Sequence, residues 1–177
     1  MHRISIIPRG IGALGFTQQL AEEERYLRSE PELHDLIAVL LGGRAAEETV
    51  FGFATTGAQD DLKKATEIAR RMVMEFGMSP RVGPINIADS GPRFLSPAFR
   101  RSEEVSDETE MAIDREVKSI LIQGQERARA ILTDHRRDLD ELSVLLLEKE
   151  NLSGKDLADH FDKPAPTEEL TAQSSGT

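Results

Sequence analysis

The sequence predicts a mainly α protein with a small N-terminal β-hairpin and a long helical hairpin toward the C-terminus. Three observations carry this. Apolar residues recur at helical spacing through several long windows, and capping residues stand at their starts. Short β-branched runs with turn signals are confined to the first twenty or so residues. The chain has 177 residues, 38% of them hydrophobic, which is enough for one domain with a real core.

The opening elements are strands. Ile4-Ser5-Ile6-Ile7 is short, β-branched and stopped by Pro8. Pro8 to Gly15 is rich in Gly and reads as a loop. Gly15 to Leu20 returns as a second strand, and Glu22 to Arg25 is a polar link. Ser29-Glu30-Pro31-Glu32 then starts a helix: Ser29 can cap, Glu32 stands three residues on, and Pro31 suits the first turn. Leu33, Leu36, Ile37, Leu40 and Leu41 form one face. Gly42-Gly43 implies a break or the close approach of another backbone, since Gly is costly inside a helix. The pattern resumes at Ala45 and ends near Phe51-Gly52.

Thr55 to Asp61 opens the next helix, with an apolar stripe of Leu62, Ala65, Ala69, Met72, Val73 and Phe76, a Gly77 cap and a stop at Pro80. Residues 80–105 carry four Pro and read as a long loop with a short strand at Ile85-Asn86-Ile87. Ser106 caps the longest helix, which runs to about Asp134 with a seam of Ile113, Val117, Ile120, Gly124, Ala128 and Ile131. After a kink near His135, a helix from Arg136 to Glu150 turns Leu139, Leu142, Leu145 and Leu146 inward. Asn151 to Gly154 reads as a turn, and Ser153 caps a short final helix ending near Phe161. The expected division is one domain over 1–161 and a disordered acidic and polar tail over 162–177.

Composition removes whole classes of function. The absence of Cys excludes disulfides, thiolate nucleophiles and Cys-based metal sites. A net charge of −10 argues against nucleic acid as a partner. No apolar run is long enough to span a membrane, so this stretch carries no direct membrane segment and reads as cytoplasmic. There is no Walker A sequence and no G-x-S-x-G elbow. The glycines at 10, 12 and 15 have dinucleotide-loop spacing but precede a strand, not a helix. The four His (2, 34, 135 and 160) stand far apart, so no helical zinc motif is formed; His34 reads as a surface residue and Arg9 as a loop Arg.

Two acidic pairs carry what chemistry remains. Asp60 and Asp61 complement the N-terminus of their helix. Asp60 can pair with Lys64 at i+4, whereas Asp61 has Ala65 at i+4 and Ile68 at i+7. Asp61 therefore flanks the apolar stripe without an i+4 cation and needs a partner, for which a metal is one candidate. Glu47 and Glu48 stand on an Ala-rich helix near Arg44, which can pair with them.

These residues carry a family resemblance. Ser5-Ile6-Ile7-Pro8-Arg9-Gly10 with Leu14-Gly15-Phe16-Thr17 resembles the strand and loop of the FtsH-type peptidase domain. Leu41 to Glu48 resembles its Gly-Gly-Arg-x-Ala-Glu-Glu helix, and Thr56 to Leu62 its Thr-Gly-Ala-x-Asn-Asp-Leu segment, with Asp60 in place of the usual Asn. Arg70 to Ser79, Gly83-Pro84, Ser106 to Thr109 and Ile113 to Val117 continue the match in order.

The resemblance implies a helical metallopeptidase domain from an ATP-dependent zinc metalloendopeptidase. In such enzymes an AAA+ ring consumes ATP and threads unfolded or membrane protein substrates into a hexameric, homo-oligomeric protease ring. It implies that Asp61 is the third zinc ligand, and that Glu47 and Glu48 have supporting or structural roles. It also implies that Gly15, Phe16, Thr17 and Gln18 form a substrate-pairing strand. The family's His-Glu-x-x-His helix and its AAA+ and transmembrane parts have no counterpart in these 177 residues. The chain is therefore expected to have no catalytic residue of its own and to be inactive alone. The competing expectation is a non-catalytic helical adaptor or assembly module of a protease ring.

Overall fold

The structure is a computed structural model, and it describes residues 3–7, 16–18, 27–87 and 106–162. They fall into two units: a continuous one within 25–136, and one built from both chain ends, 1–24 with 137–177.

Among the described residues, the continuous unit holds three packed helices. α1 spans Glu30–Phe51, α2 spans Gln59–Met74 and α3 spans Asp107–Asp134; a 3-10 turn at Thr56–Ala58 leads into α2. The start of α1 is fastened as the sequence implies. The Ser29 backbone N–H and hydroxyl donate to the Glu32 carboxylate at 2.7 and 2.8 Å. At its end Gly52, at φ 78°, donates its N–H to the Glu48 carbonyl at 3.1 Å.

The core joins Leu33, Ile37 and Leu41 of α1, Ala65, Ala69, Met72 and Val73 of α2, and Ile113, Val117 and Ile120 of α3. Leu40 borders it, and Leu36 is half-buried. Three residues of the expected stripes stay outside. Leu62 precedes Ala65, the first buried residue of α2. Ile131 lies beyond Ala128, the last buried residue of α3. Phe76 follows the end of α2, and its ring lies 5.0 Å from the Arg71 guanidinium.

α1 runs unbroken through Gly42-Gly43, and a Cβ at either position would meet no described atom within 4 Å. Neither the expected break nor the expected close approach is found there. The close approach is at Gly124 of α3, where a Cβ would lie 2.7 Å from Ile37 Cγ2 and 3.4 Å from Leu41 Cδ1. Nor is there a strand at Ile85–Ile87. That segment instead satisfies the end of α2: the Ile87 N–H donates to the Met74 carbonyl at 2.8 Å, and the Asn86 amide donates to the Glu75 carbonyl at 3.3 Å. The chain can fold back this way because Gly77 sits at φ 63°, where a Cβ would come within 2.9 Å of Pro84 Cα.

The second unit holds a three-stranded antiparallel sheet, β2-β1-β3, from β1 (Arg3–Ser5), β2 (Phe16–Gln18) and β3 (Asn151–Ser153). The expected hairpin is present, with Ile4 opposite Thr17. The expected turn at Asn151–Gly154 is a strand instead: Leu152 pairs with Ile4 on the other edge of β1. The bend falls one residue earlier, at Glu150, whose φ is 58°. The Glu150 carbonyl accepts the Ile6 N–H at 3.1 Å. Leu152 and Ser5 are buried. α4 (Arg136–Lys149) has Leu139, Leu142, Leu145 and Leu146 half-buried rather than fully inside. α5 (Gly154–Phe161) begins with a capping box between Ser153 and Asp156, whose hydrogen bonds, from the Ser153 side chain first, hold the Asp156 carboxyl well below the usual range. His160 of α5 meets Asp138 of α4 at 3.1 Å. The expected tail lies outside the described residues from 163 on.

Two glycines on packed helices should therefore respond in opposite senses to a methyl group. Gly43→Ala gains helix propensity in open space and should stabilise by roughly 0.5–1 kcal/mol. Gly124→Ala gains the same propensity but overpacks fully buried Ile37, a cost of about 1–3 kcal/mol, and should destabilise on balance. Urea unfolding midpoints of the two variants check both signs.

Candidate functional site

The start of α2 is built around one carboxylate. Glu47 of α1 accepts the Thr55 N–H at 2.7 Å and the Thr55 hydroxyl at 2.6 Å. Thr55 in turn accepts the Gly57 N–H at 3.1 Å, which caps the 3-10 turn leading into α2. A Cβ on Gly57 would lie 3.3 Å from the Thr55 hydroxyl oxygen and 3.8 Å from Glu47 Oε1, so the turn closes tightly over the carboxylate. The Thr55 side-chain bond, then its backbone bond, with a smaller contribution from the Arg44 charge, hold the Glu47 carboxyl below its ordinary value of 4.5.

This anchored turn presents Asp60 and Asp61 in the first turn of α2. Asp61 is not turned into the packed face as its spacing implied. Its side chain is 51% exposed and pairs with Lys64 at i+3, at 3.3 Å. The cation expected for Asp60 thus goes to Asp61. The reason is positional: the core begins at Ala65, so the first turn of α2 extends past it into solvent.

Glu48, one residue from Glu47, points a different way, as a 100° step per residue requires. It accepts from Gln125 Nε2 at 2.7 Å and Arg129 Nη2 at 3.3 Å on α3, and pairs with Arg44 at 3.2 Å. Glu48 fastens α1 to α3, while Glu47 fastens α1 to the start of α2. Sequence reasoning paired Arg44 with this helix but missed Thr55, Gln125 and Arg129. Their separations of 8, 77 and 81 residues from the glutamates they hold form no local motif.

Phe16, Thr17 and Gln18 form β2, which has β1 on one side and no described strand on the other. Gly15 lies outside the described residues, as does Arg9. His34 sits near Glu30 at 3.8 Å on the flank of α1.

A zinc site needs three or four N, O or S ligands converging on one point. Among the described residues no group of three or more His, Cys, Asp or Glu does so. These residues do not by themselves fit the metal; Asp61 offers one accessible carboxylate.

The sequence profile of peptidase family M41 matches residues 1–159, and the chain belongs to that family. It is 51% identical over 158 residues to the ATP-dependent zinc metalloprotease FtsH of Methylococcus capsulatus, covering 89% of this chain and 25% of that protein. It is 46% identical over 164 residues to FtsH 3 of Petrotoga mobilis, covering 92% and 25%. Against FtsH of Endomicrobium trichonymphae it is 46% identical over 178 residues, covering 100% and 27%. The chain thus spans about a quarter of the length of these curated relatives. No helix among the described residues is long and apolar enough to cross a membrane.

The Glu47 clamp predicts a pH effect. Because its carboxyl is lowered on folding, its contribution is present above about pH 4.5 and lost as pH falls below that. Glu47→Gln should lower the thermal midpoint at neutral pH, and the wild-type and variant midpoints should converge as pH drops below 4.5. A constant gap across the titration would show that the carboxylate charge is not what holds Thr55.

Proposed function

We propose that this chain acts within an ATP-dependent zinc metalloendopeptidase that degrades unfolded or membrane proteins on the cytoplasmic side of a membrane. Its α-helices pack a hexameric protease ring, and Asp61 serves as the third ligand of a zinc site completed by groups other than the described residues. The observation that carries this reading is the family match over 1–159 together with the accessible position of Asp61 at the start of α2. Zinc held in such a site lowers the pKa of a bound water, and ATP is consumed by an AAA+ domain.

The chain's own residues then have separable tasks. Asp61 contributes an oxygen donor of the type zinc accepts. Glu47 keeps that donor in place through Thr55 and Gly57, so it is a positioning residue and not a ligand. Glu48 holds α1 against α3. The segment Gly15 to Gln18 is assigned to pair with an extended substrate, since β2 has no neighbour on its outer edge among the described strands.

The test joins this chain to a segment bearing a His-Glu-x-x-His helix and measures zinc content and casein hydrolysis. The joined protein should bind zinc, whereas the chain alone should not hold it stoichiometrically. Asp61→Ala should abolish binding. Glu47→Gln should weaken it about tenfold, as loss of a supporting hydrogen-bond partner does. Retained zinc in Asp61→Ala would overturn the ligand assignment. In the same protein Thr17→Pro should slow hydrolysis without loss of zinc, and undiminished cleavage would remove the role of β2.

A further inference from the structure

The segment that follows α2 is seated on a charge whose bonding is incomplete. Gly77 and Gly83 both have positive φ, 63° and 90°, and the chain between them closes on itself. The close approach of Gly77 to Pro84 brings the two ends of residues 78–83 together. Inside this loop the Gly83 N–H donates to the Ser79 carbonyl at 2.8 Å, and the Val82 N–H donates to the Ser79 hydroxyl at 3.2 Å. Ser79 is buried, and both bonds belong to the loop itself. Two further bonds tie the segment to α2: the Met78 N–H donates to the Met72 carbonyl and the Ile87 N–H to the Met74 carbonyl, each at 2.8 Å.

Met78 and Val82 rest half-buried against the core, and Arg81 reaches α3. Arg81 Nε lies 3.6 Å from Glu116 Oε2, an ion pair longer than a hydrogen bond. The Arg81 side chain is 70% exposed, but that of Glu116 is only 12% exposed. Glu116 Oε2 is itself buried and accepts no hydrogen bond from the described residues. An unmet buried carboxylate oxygen is costly. A pair of this kind adds little net stability, since an apolar side chain of similar volume would fill the same space as well. What it does supply is a preferred position. With Arg81 in place the Glu116 charge is answered, and with Arg81 away it stands bare at the margin of the core.

We propose that residues 77–87 form a strap that swings on Gly77 between a seated and a lifted position, and that Glu116 is the catch that seats it through Arg81. The loop lifts as a unit because its own hydrogen bonds go with it, while the two bonds to α2 break. Lifting frees the Met72 and Met74 carbonyls and uncovers the end of α2, with the three-helix core still folded. The device is independent of the zinc assignment, which concerns the other end of α2.

Amide hydrogen exchange of the full chain is the test. Glu116→Gln keeps the shape of the side chain and removes its charge. Arg81→Gln removes the other partner at an exposed position, where a substitution does not threaten the fold. In each variant the Met78 and Ile87 amides should exchange roughly tenfold faster, while the Gly83 amide and the Ile37 amide of α1 keep their protection. The double variant should exchange no faster than the faster single one, because both residues act through one contact. Unchanged or slower exchange at Met78 and Ile87 in either variant overturns the proposal. Equal acceleration at Gly83 or Ile37 also overturns it, since that is general loosening and not the lifting of a strap. Full addition of the two single effects overturns it as well, because the residues would then act separately.

Discussion

The close approach of α3 to α1 at Gly124 is the constraint on which the helical unit depends. Only a residue without a side chain lets the α3 backbone come that near to Ile37 and Leu41. With the backbones this close, the next residue, Gln125, reaches Glu48, and Arg129 joins it one turn later. The direction of Glu48 fixes the rotation of α1 about its axis. Because Glu47 is the adjacent residue, its carboxylate is then aimed at Thr55. A packing contact in the core thus sets the position of an acid pair exposed at the surface.

That order of dependence explains the division of labour between the paired acids. Glu47 and Glu48 look interchangeable in sequence, yet one holds the start of α2 and the other holds α3. Asp60 and Asp61 look like a helix-dipole pair with one member available for chemistry. In the structure it is Asp61 that carries the Lys64 partner, while remaining open to solvent. Such an exposed ion pair is weak, worth at most about 1 kcal/mol, and yields easily to a stronger partner.

The helices were legible because each has a period, a start signal and a stop signal within its own window. Ser29 with Glu32, Gly52, and Ser106 all act where local chemistry put them. What escaped was non-local. Nothing near Asn151 announces a strand, because its partner, β1, lies at the other end of the chain. Gly42-Gly43 was the more conspicuous glycine signal, but the glycine that meets another helix is Gly124, one member of an otherwise ordinary seam. Leu62 and Ile131 continue their stripes in sequence but lie past the ends of the core, a boundary that periodicity does not mark. The family resemblance picked out Asp61; its exposure and its Lys64 partner needed the structure.

The sheet has a consequence for how the protein is made. β1 precedes the helical unit in the chain and β3 follows it, with the helical unit entire between them. The helical unit has all its residues available while β3 is still unmade. β1 and β2 must wait as a marginal two-stranded ribbon. Long-range strand pairing is slow because it closes a large loop before any contact rewards it. The arrival of β3 on the free edge of β1 should therefore follow the folding of the helical unit, making completion of this sheet a checkpoint that a chain stopped short of Asn151 cannot pass.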